Sequence, residues 1–132
     1  MVRTIPLLSA LALLCTAAAA SAQSAPPDST RSAADGAYTT TQAAAGEELF
    51  GQICGNCHSP SQFHGSAFLK YWSGRPVYEL FDQLRVTMPL DNPGGLSSDQ
   101  YASVIAYILK LNDYPAGEEA LPSGEALKRI RF

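Results

Sequence analysis

Apolar residues recur at helical spacing in three stretches of the chain, and each stretch predicts an α-helix. The first covers residues 43–54, the second 76–86 and the third 97–111. The predicted buried sides are Leu49, Phe50 and Ile53 in the first helix, Val77, Leu80, Phe81 and Leu84 in the second, and Tyr101, Val104, Ile105, Ile108 and Leu111 in the third.

Residues that interrupt or cap helices refine these predictions. Gly46 costs stability inside the first helix, so we expect another helix to cross it closely there. Pro76 is expected at the first position of the second helix, where its missing N–H is tolerated. Ser97 and Gln100 have the spacing of a capping box, which predicts the start of the third helix.

The remaining stretches predict irregular structure. Residues 23–42 are rich in Ala, Ser, Pro, Asp and Thr without an apolar period, which is typical of a flexible arm. Residues 59–73 mix polar and aromatic side chains and are predicted to form a loop. The tail after Gly117 is predicted to be a strap with one short helix. We therefore expect a single domain over residues 43–132, preceded by the arm.

The first 22 residues have the organisation of a secretory signal peptide. Arg3 supplies a positive charge, residues 5–14 form an apolar run, and residues 20–22 read Ala-Ser-Ala, a cleavage site. Cleavage would remove Cys15. A lipoprotein anchor at Cys15 is the alternative, which the large Leu14 before it disfavours. Neither this run nor a later one is long enough to predict a membrane span. The signal peptide predicts an exported protein, and we expect it in the periplasm.

Residues 54–58 have the form C-x-x-C-H, which is typical of covalent c-type haem attachment. Their i, i+3, i+4 spacing places Cys54, Cys57 and His58 on about one side of a helical turn. Two thiols there can bond the two vinyl groups of one haem, while the imidazole meets the iron. A disulfide redox pair and half of a zinc site are alternatives. No strand-rich pattern supports the former, and His64 is the one further Cys or His after residue 22.

Met88 is the candidate for the second iron ligand, because it is the one methionine that remains after the signal peptide. Pro89 restricts it to extended backbone, on a loop between the second and third helices. A methionine that merely fills the core is the alternative. His64 competes as a ligand, but the chain would have to pass around the haem edge within five intervening residues.

Trp72 and Arg75 lie in the predicted loop that should flank the haem, and their N–H groups are candidates to bind the propionates. The alternatives are a large core residue for Trp72 and a surface charge for Arg75. The chain is acidic, with a formal net charge of −3. Its basic residues form no cluster beyond those at 128–131, which gives no indication of nucleic-acid binding.

These motifs resemble those of a class I, monohaem cytochrome c. The resemblance covers about residue 43 to the end, and it implies a small all-α fold of three to five helices wrapped around one covalent haem c. In that family a glycine and an aromatic residue of an N-terminal helix meet an aromatic residue of a C-terminal helix, and Gly46, Phe50 and Tyr107 match these positions. Lys70 stands where many members have a proline whose carbonyl accepts a hydrogen bond from the ligand histidine, which leaves the acceptor for His58 open.

Residues 72–74 and the Pro-Ala-Gly of 115–117 are similar to cytochromes that accept electrons from periplasmic dehydrogenases. The resemblance implies an electron carrier, not an enzyme, that connects a dehydrogenase or respiratory donor with an oxidase or other acceptor. One alternative is a haem subunit of a stable dehydrogenase complex. Another is a gas-binding sensor or peroxidase-like enzyme, which would require Met88 to leave the iron.

Overall fold

The computed structural model describes residues 29–132 and confirms the prediction of a small all-α fold. The predicted signal peptide and the first part of the predicted arm lie outside the described residues. The four α-helices of this part are α1 (Thr40–Leu49), α2 (Ser66–Trp72), α3 (Val77–Thr87) and α4 (Ser98–Leu111). Two short strands, β1 (Arg31–Ser32) and β2 (Ile130–Arg131), pair in parallel.

Shorter helical turns connect these elements. A π-helical turn, Phe50–Cys54, continues α1 without a break, and a 3₁₀ helix, Pro60–Phe63, precedes α2. Two further 3₁₀ helices, Ala33–Asp35 and Gly124–Arg129, lie next to the strands. The last of these confirms the predicted short helix in the tail.

The helices α1 and α4 cross at van der Waals distance, as Gly46 predicts. A Cβ atom on Gly46 would lie 1.8 Å from the carbonyl oxygen of Ser103, so the two backbones approach as closely as glycine allows. Beside this crossing the rings of Phe50 and Tyr107 lie 5.5 Å apart. The glycine in the helical pattern thus predicted the crossing, and the resemblance to cytochromes c predicted the aromatic pair beside it.

The helix α4 forms the centre of the core because its apolar side chains are buried on nearly all sides. Ile105, Ile108 and Leu109 are fully buried. The predicted capping box starts the helix: the Ser97 hydroxyl accepts from the Gln100 N–H at 3.2 Å, and Gln100 Oε1 accepts from the Ser97 N–H at 2.8 Å. These reciprocal bonds satisfy two N–H groups that a helix start leaves unpaired.

The prediction of a flexible arm is wrong for residues 29–42, the part of the arm that the structure describes. Ala33, Ala37 and Tyr38 are buried, and the Tyr38 hydroxyl donates to the Tyr114 carbonyl at 2.7 Å. Thr39 caps α1, which begins at Thr40, three residues before the predicted start. This packing was hard to predict from the sequence, because alanine can be buried in a tight contact without producing an apolar period.

The predicted loop over 59–73 is also wrong, because most of it is helical. The helix α2 carries Phe68 and Trp72, whose rings pack against the C-terminal Phe132 at 6.2 and 5.6 Å. A seven-residue helix shows too few turns for periodicity, and the partner that orders it is distant in sequence. At the start of α3, Pro76 is the N-cap residue and Val77 the first helical one, a shift of one position.

Replacement of Gly46 by alanine tests the helix crossing. The added methyl group must push Ser103 and α4 away from α1, and we expect the free energy of unfolding to fall by about 2 kcal/mol or more. Denaturant titration of the purified protein measures this difference.

Gly51→Ala is the matched control, since no atom lies within 4 Å of the Cβ position at Gly51. It should leave stability unchanged or raise it by up to about 1 kcal/mol, because alanine is a better helix former than glycine. Equal effects of the two substitutions would show that close approach at Gly46 does not limit the fold.

Candidate haem-binding site

The C-x-x-C-H motif forms the turn at the end of α1. The Gly55 N–H donates to the Phe50 carbonyl at 2.7 Å, which widens the last turn into a π-turn. The His58 N–H then donates to the Cys54 carbonyl at 2.9 Å, an i to i+4 bond that closes one helical turn over the motif. The predicted i, i+3, i+4 arrangement is therefore present, and it directly continues the helix that crosses α4.

The two cysteines form no disulfide with each other and lie in different surroundings. Cys54 is half-buried and packs against the core, whereas Cys57 is exposed. Burial raises the pKa of the Cys54 thiol, because a thiolate loses hydration there.

The imidazole of His58 is held on two sides. Its Nδ1 lies 3.1 Å from Oε1 of Gln62, on the 3₁₀ helix that follows the motif. The ring of Phe63 meets it edge-on, with ring centres 5.5 Å apart, and Phe63 packs in the same way on Phe50. His64, the competing ligand, is exposed at the end of this 3₁₀ helix.

Met88 lies directly after α3, on the extended backbone that Pro89 predicts, with φ −129° and ψ 152°. Its N–H donates to the Leu84 carbonyl at 2.8 Å and so ends the helix. Its carbonyl accepts a hydrogen bond of 2.6 Å from the hydroxyl of Tyr101, whose side chain is only 2 % exposed. Both backbone polar groups of Met88 are thus fixed.

A single helix, α4, connects these parts. Its first turn holds Met88 through Tyr101, and its middle packs on α1 at Ser103 and Tyr107. At its end, Asn112 Nδ2 donates to the Phe63 carbonyl at 2.8 Å, and its Oδ1 accepts from the Gly65 N–H at 3.1 Å. Both candidate iron ligands therefore take their positions from one rigid element.

Trp72 and Arg75 lie together at the end of α2. Trp72 is buried, and the Arg75 guanidinium stacks over its ring at 4.6 Å and over Tyr71 at 4.5 Å. Arg75 Nε also donates to Glu79 at 2.7 Å, so a carboxylate already occupies this side of the guanidinium. Binding of propionates by these two residues stays a prediction.

The donor set suits haem c better than a zinc ion. Residues 29–132 contain no cluster of three or more Cys, His, Asp or Glu side chains placed to hold a metal ion. A cavity of about 560 Å³ adjoins the motif and is lined by Cys57, His58, Phe50 and Tyr107 among others. Two unpaired thiols on a helical turn, next to an imidazole with one nitrogen engaged, match the attachment chemistry of haem c.

The helix crossing and the C-x-x-C-H turn are those of a c-type cytochrome domain. Residues 41–108 match the family model described as "Cytochrome C oxidase, cbb3-type, subunit III", and the chain belongs to this family of c-type cytochromes. A domain of this class implies haem c with iron, and electron transfer rather than catalysis. Comparison with curated proteins and with solved structures gave no match. No helix within the described part of the chain has the length and apolar content needed to cross a membrane.

Sequence reasoning missed three residues of the site: Gln62, Phe63 and the anchoring role of Tyr101. A signal for Gln62 was present, because Ser59 and Gln62 have the capping-box spacing that identified the start of α4. Pro60 follows Ser59 at the first position of that 3₁₀ helix, where the missing N–H of a proline is tolerated. Tyr101 was expected as a core residue, and its hydroxyl bond depends on tertiary structure alone.

Tyr101→Phe tests the anchoring of Met88. The substitution removes the hydroxyl that binds the Met88 carbonyl, so we expect the free energy of unfolding to fall by about 1–2 kcal/mol. Tyr107→Phe is the matched control on the same helix, because the Tyr107 hydroxyl has no hydrogen bond within residues 29–132. Denaturant titration compares the two variants, and equal losses would contradict the role of the Tyr101 hydroxyl.

Proposed function

We propose that the protein is an exported, periplasmic one-electron carrier. Cys54 and Cys57 would hold one covalent haem c, with His58 and Met88 as its axial ligands. The observation that carries this proposal is that α4 fixes the turn with His58 through α1 and the Met88 loop through Tyr101. Met88 is also only partly buried and is not among the buried core residues, as a methionine that merely filled the core would be.

The residues of the candidate site would bind the haem and close it to other ligands, and they would not make or break bonds of a substrate. When bound, haem c supplies a one-electron couple between ferric and ferrous iron. The thioether of Met88 favours the ferrous state and so raises the reduction potential. With His58 and Met88 both ligated, no position is left for a substrate, which favours electron transfer alone.

The surface around Met88 suits brief contacts with redox partners. Leu90 is 83 % exposed, and Val86, on the last turn of α3, is 52 % exposed. These two residues lie close to Met88 in sequence, and the net negative charge of the chain favours partners with basic surfaces. We propose a dehydrogenase or respiratory protein as donor and an oxidase as acceptor.

A haem subunit in a stable complex is the second candidate function. The observation that favours it is the description of the matched family, which names a subunit of an oxidase. The match covers residues 41–108, where the motif and α4 lie, and thus concerns the haem domain itself.

Carbon monoxide tests the proposed ligation. Since carbon monoxide binds ferrous haem only where a coordination position is open, the reduced spectrum of the exported protein should not change on its addition. Met88→Ala should bind carbon monoxide readily, because it lacks the thioether. Leu90→Ala is the control on the same loop and should behave like the original protein, since its side chain is almost fully exposed.

Rapid carbon monoxide binding by the original protein would contradict closed ligation and would favour a sensor or a peroxidase-like enzyme. Absence of a haem band from the exported protein, with a disulfide between Cys54 and Cys57, would favour a redox pair instead.

We further predict that the protein is exported and that it is not bound to a larger complex. After expression in a bacterium that attaches haem c, the periplasmic fraction should contain a haem protein whose first residue is Gln23. On gel filtration of the native extract we expect it to migrate as a single small protein. Co-migration with an oxidase or a dehydrogenase would favour the subunit function, and retention of residues 1–22 would contradict export by cleavage.

A further inference from the structure

The side-chain oxygen of Gln62 faces two nitrogen atoms. Gln62 Oε1 accepts a hydrogen bond from the Ser59 N–H at 3.2 Å, and it lies 3.1 Å from Nδ1 of His58. The first contact belongs to the capping box that starts the 3₁₀ helix Pro60–Phe63. One amide oxygen therefore serves both the start of a helix and the imidazole of the C-x-x-C-H motif.

These two contacts decide where the proton of His58 lies. A backbone N–H can only donate, so the amide atom next to Ser59 must be the oxygen of Gln62 and not its nitrogen. A carbonyl oxygen carries no hydrogen, and the contact with His58 is therefore a hydrogen bond only if Nδ1 is protonated. The neutral imidazole then keeps its lone pair on Nε2, the nitrogen that must bind a metal.

The side chain of Gln62 is exposed, but the 3₁₀ helix that carries it is held in place. Asn112, at the end of α4, binds the Phe63 carbonyl at 2.8 Å and the Gly65 N–H at 3.1 Å, so the 3₁₀ helix is fastened at its end. The Phe63 ring packs on both His58 and Phe50. The imidazole is thus held at Nδ1 by a hydrogen bond and along its edge by an aromatic contact.

We propose that Gln62 is a positioning residue for His58, which fixes the tautomer of its ring and tunes the reduction potential of the iron. This inference rests on the proposed function, in which His58 Nε2 is an axial ligand. In many cytochromes c the carbonyl of a proline accepts the hydrogen bond from this imidazole. This chain has Lys70 at the position of that proline, and the side-chain amide of Gln62 supplies the acceptor instead.

The direction of the effect follows from charge. A hydrogen bond from Nδ1–H to an acceptor makes the imidazole a stronger electron donor through Nε2. Stronger donation stabilises ferric iron more than ferrous iron and lowers the reduction potential. Loss of the acceptor should therefore raise the potential, and a carboxylate in its place should lower it.

Potentiometric titration of the haem-loaded protein tests this inference with two opposite substitutions. In Gln62→Leu we expect the equilibrium constant for reduction to rise by up to about tenfold, which corresponds to about 59 mV for a one-electron couple. Gln62→Glu should shift the potential the other way. In the reduced protein, proton NMR should show faster solvent exchange of the His58 Nδ1 proton in Gln62→Leu than in the original protein.

Gln100→Leu is the matched control, because Gln100 completes the same capping box at the start of α4 without a histidine nearby. It should lose a similar amount of stability and leave the potential unchanged. Equal potentials in the original protein and both Gln62 variants, or an equal shift in Gln100→Leu, would overturn the inference.

The outcome is distinguishable from a failure of the proposed function. If the original protein contains no haem c, or if its reduced iron lacks a histidine ligand, the proposed function fails before any variant is measured. If the original protein has the expected haem spectrum but Gln62 variants do not move its potential, only the inference about Gln62 fails.

Discussion

The close approach of α1 and α4 is the constraint on which the rest of the structure depends. At Gly46 a helix backbone lies against the Ser103 carbonyl with no room for a side chain. The helix α1 ends three residues after this contact, and the C-x-x-C-H motif follows within the same run of helical turns. Because α4 also binds Met88 and the turn after the motif, one helix–helix distance sets the geometry of the whole candidate site.

The features that the sequence predicted well are those with a local cause. The capping box at Ser97 depends on residues three positions apart, and the extended backbone of Met88 depends on its neighbour Pro89. The helix crossing at Gly46 is a tertiary contact, yet it could be predicted locally, because a glycine inside a helical pattern costs stability and needs an explanation. Such signals can be interpreted without knowledge of the partner segment.

The features that were missed have distant partners. The helix α2 is ordered by Phe132 at the other end of the chain, and the segment around Ala37 is ordered by the turn near Gly117. A Cβ atom on Gly117 would lie 2.1 Å from the Gly36 carbonyl, so this packing depends on two glycines that a sequence scan takes as loop residues. The bond between Gln62 and His58 was missed for another reason: its capping-box spacing was present, but its second role required the fold.

The parallel pairing of β1 with β2 joins the first described residues to the last ones. Its contacts span almost the whole described chain, and those between α1 and α4 span more than half of it. The entropy cost of closing such loops grows only slowly with their length, but contacts between residues so distant in sequence slow folding. During synthesis the C-x-x-C-H motif is made before α4, so its turn can pack against that helix only once residues 98–111 are present.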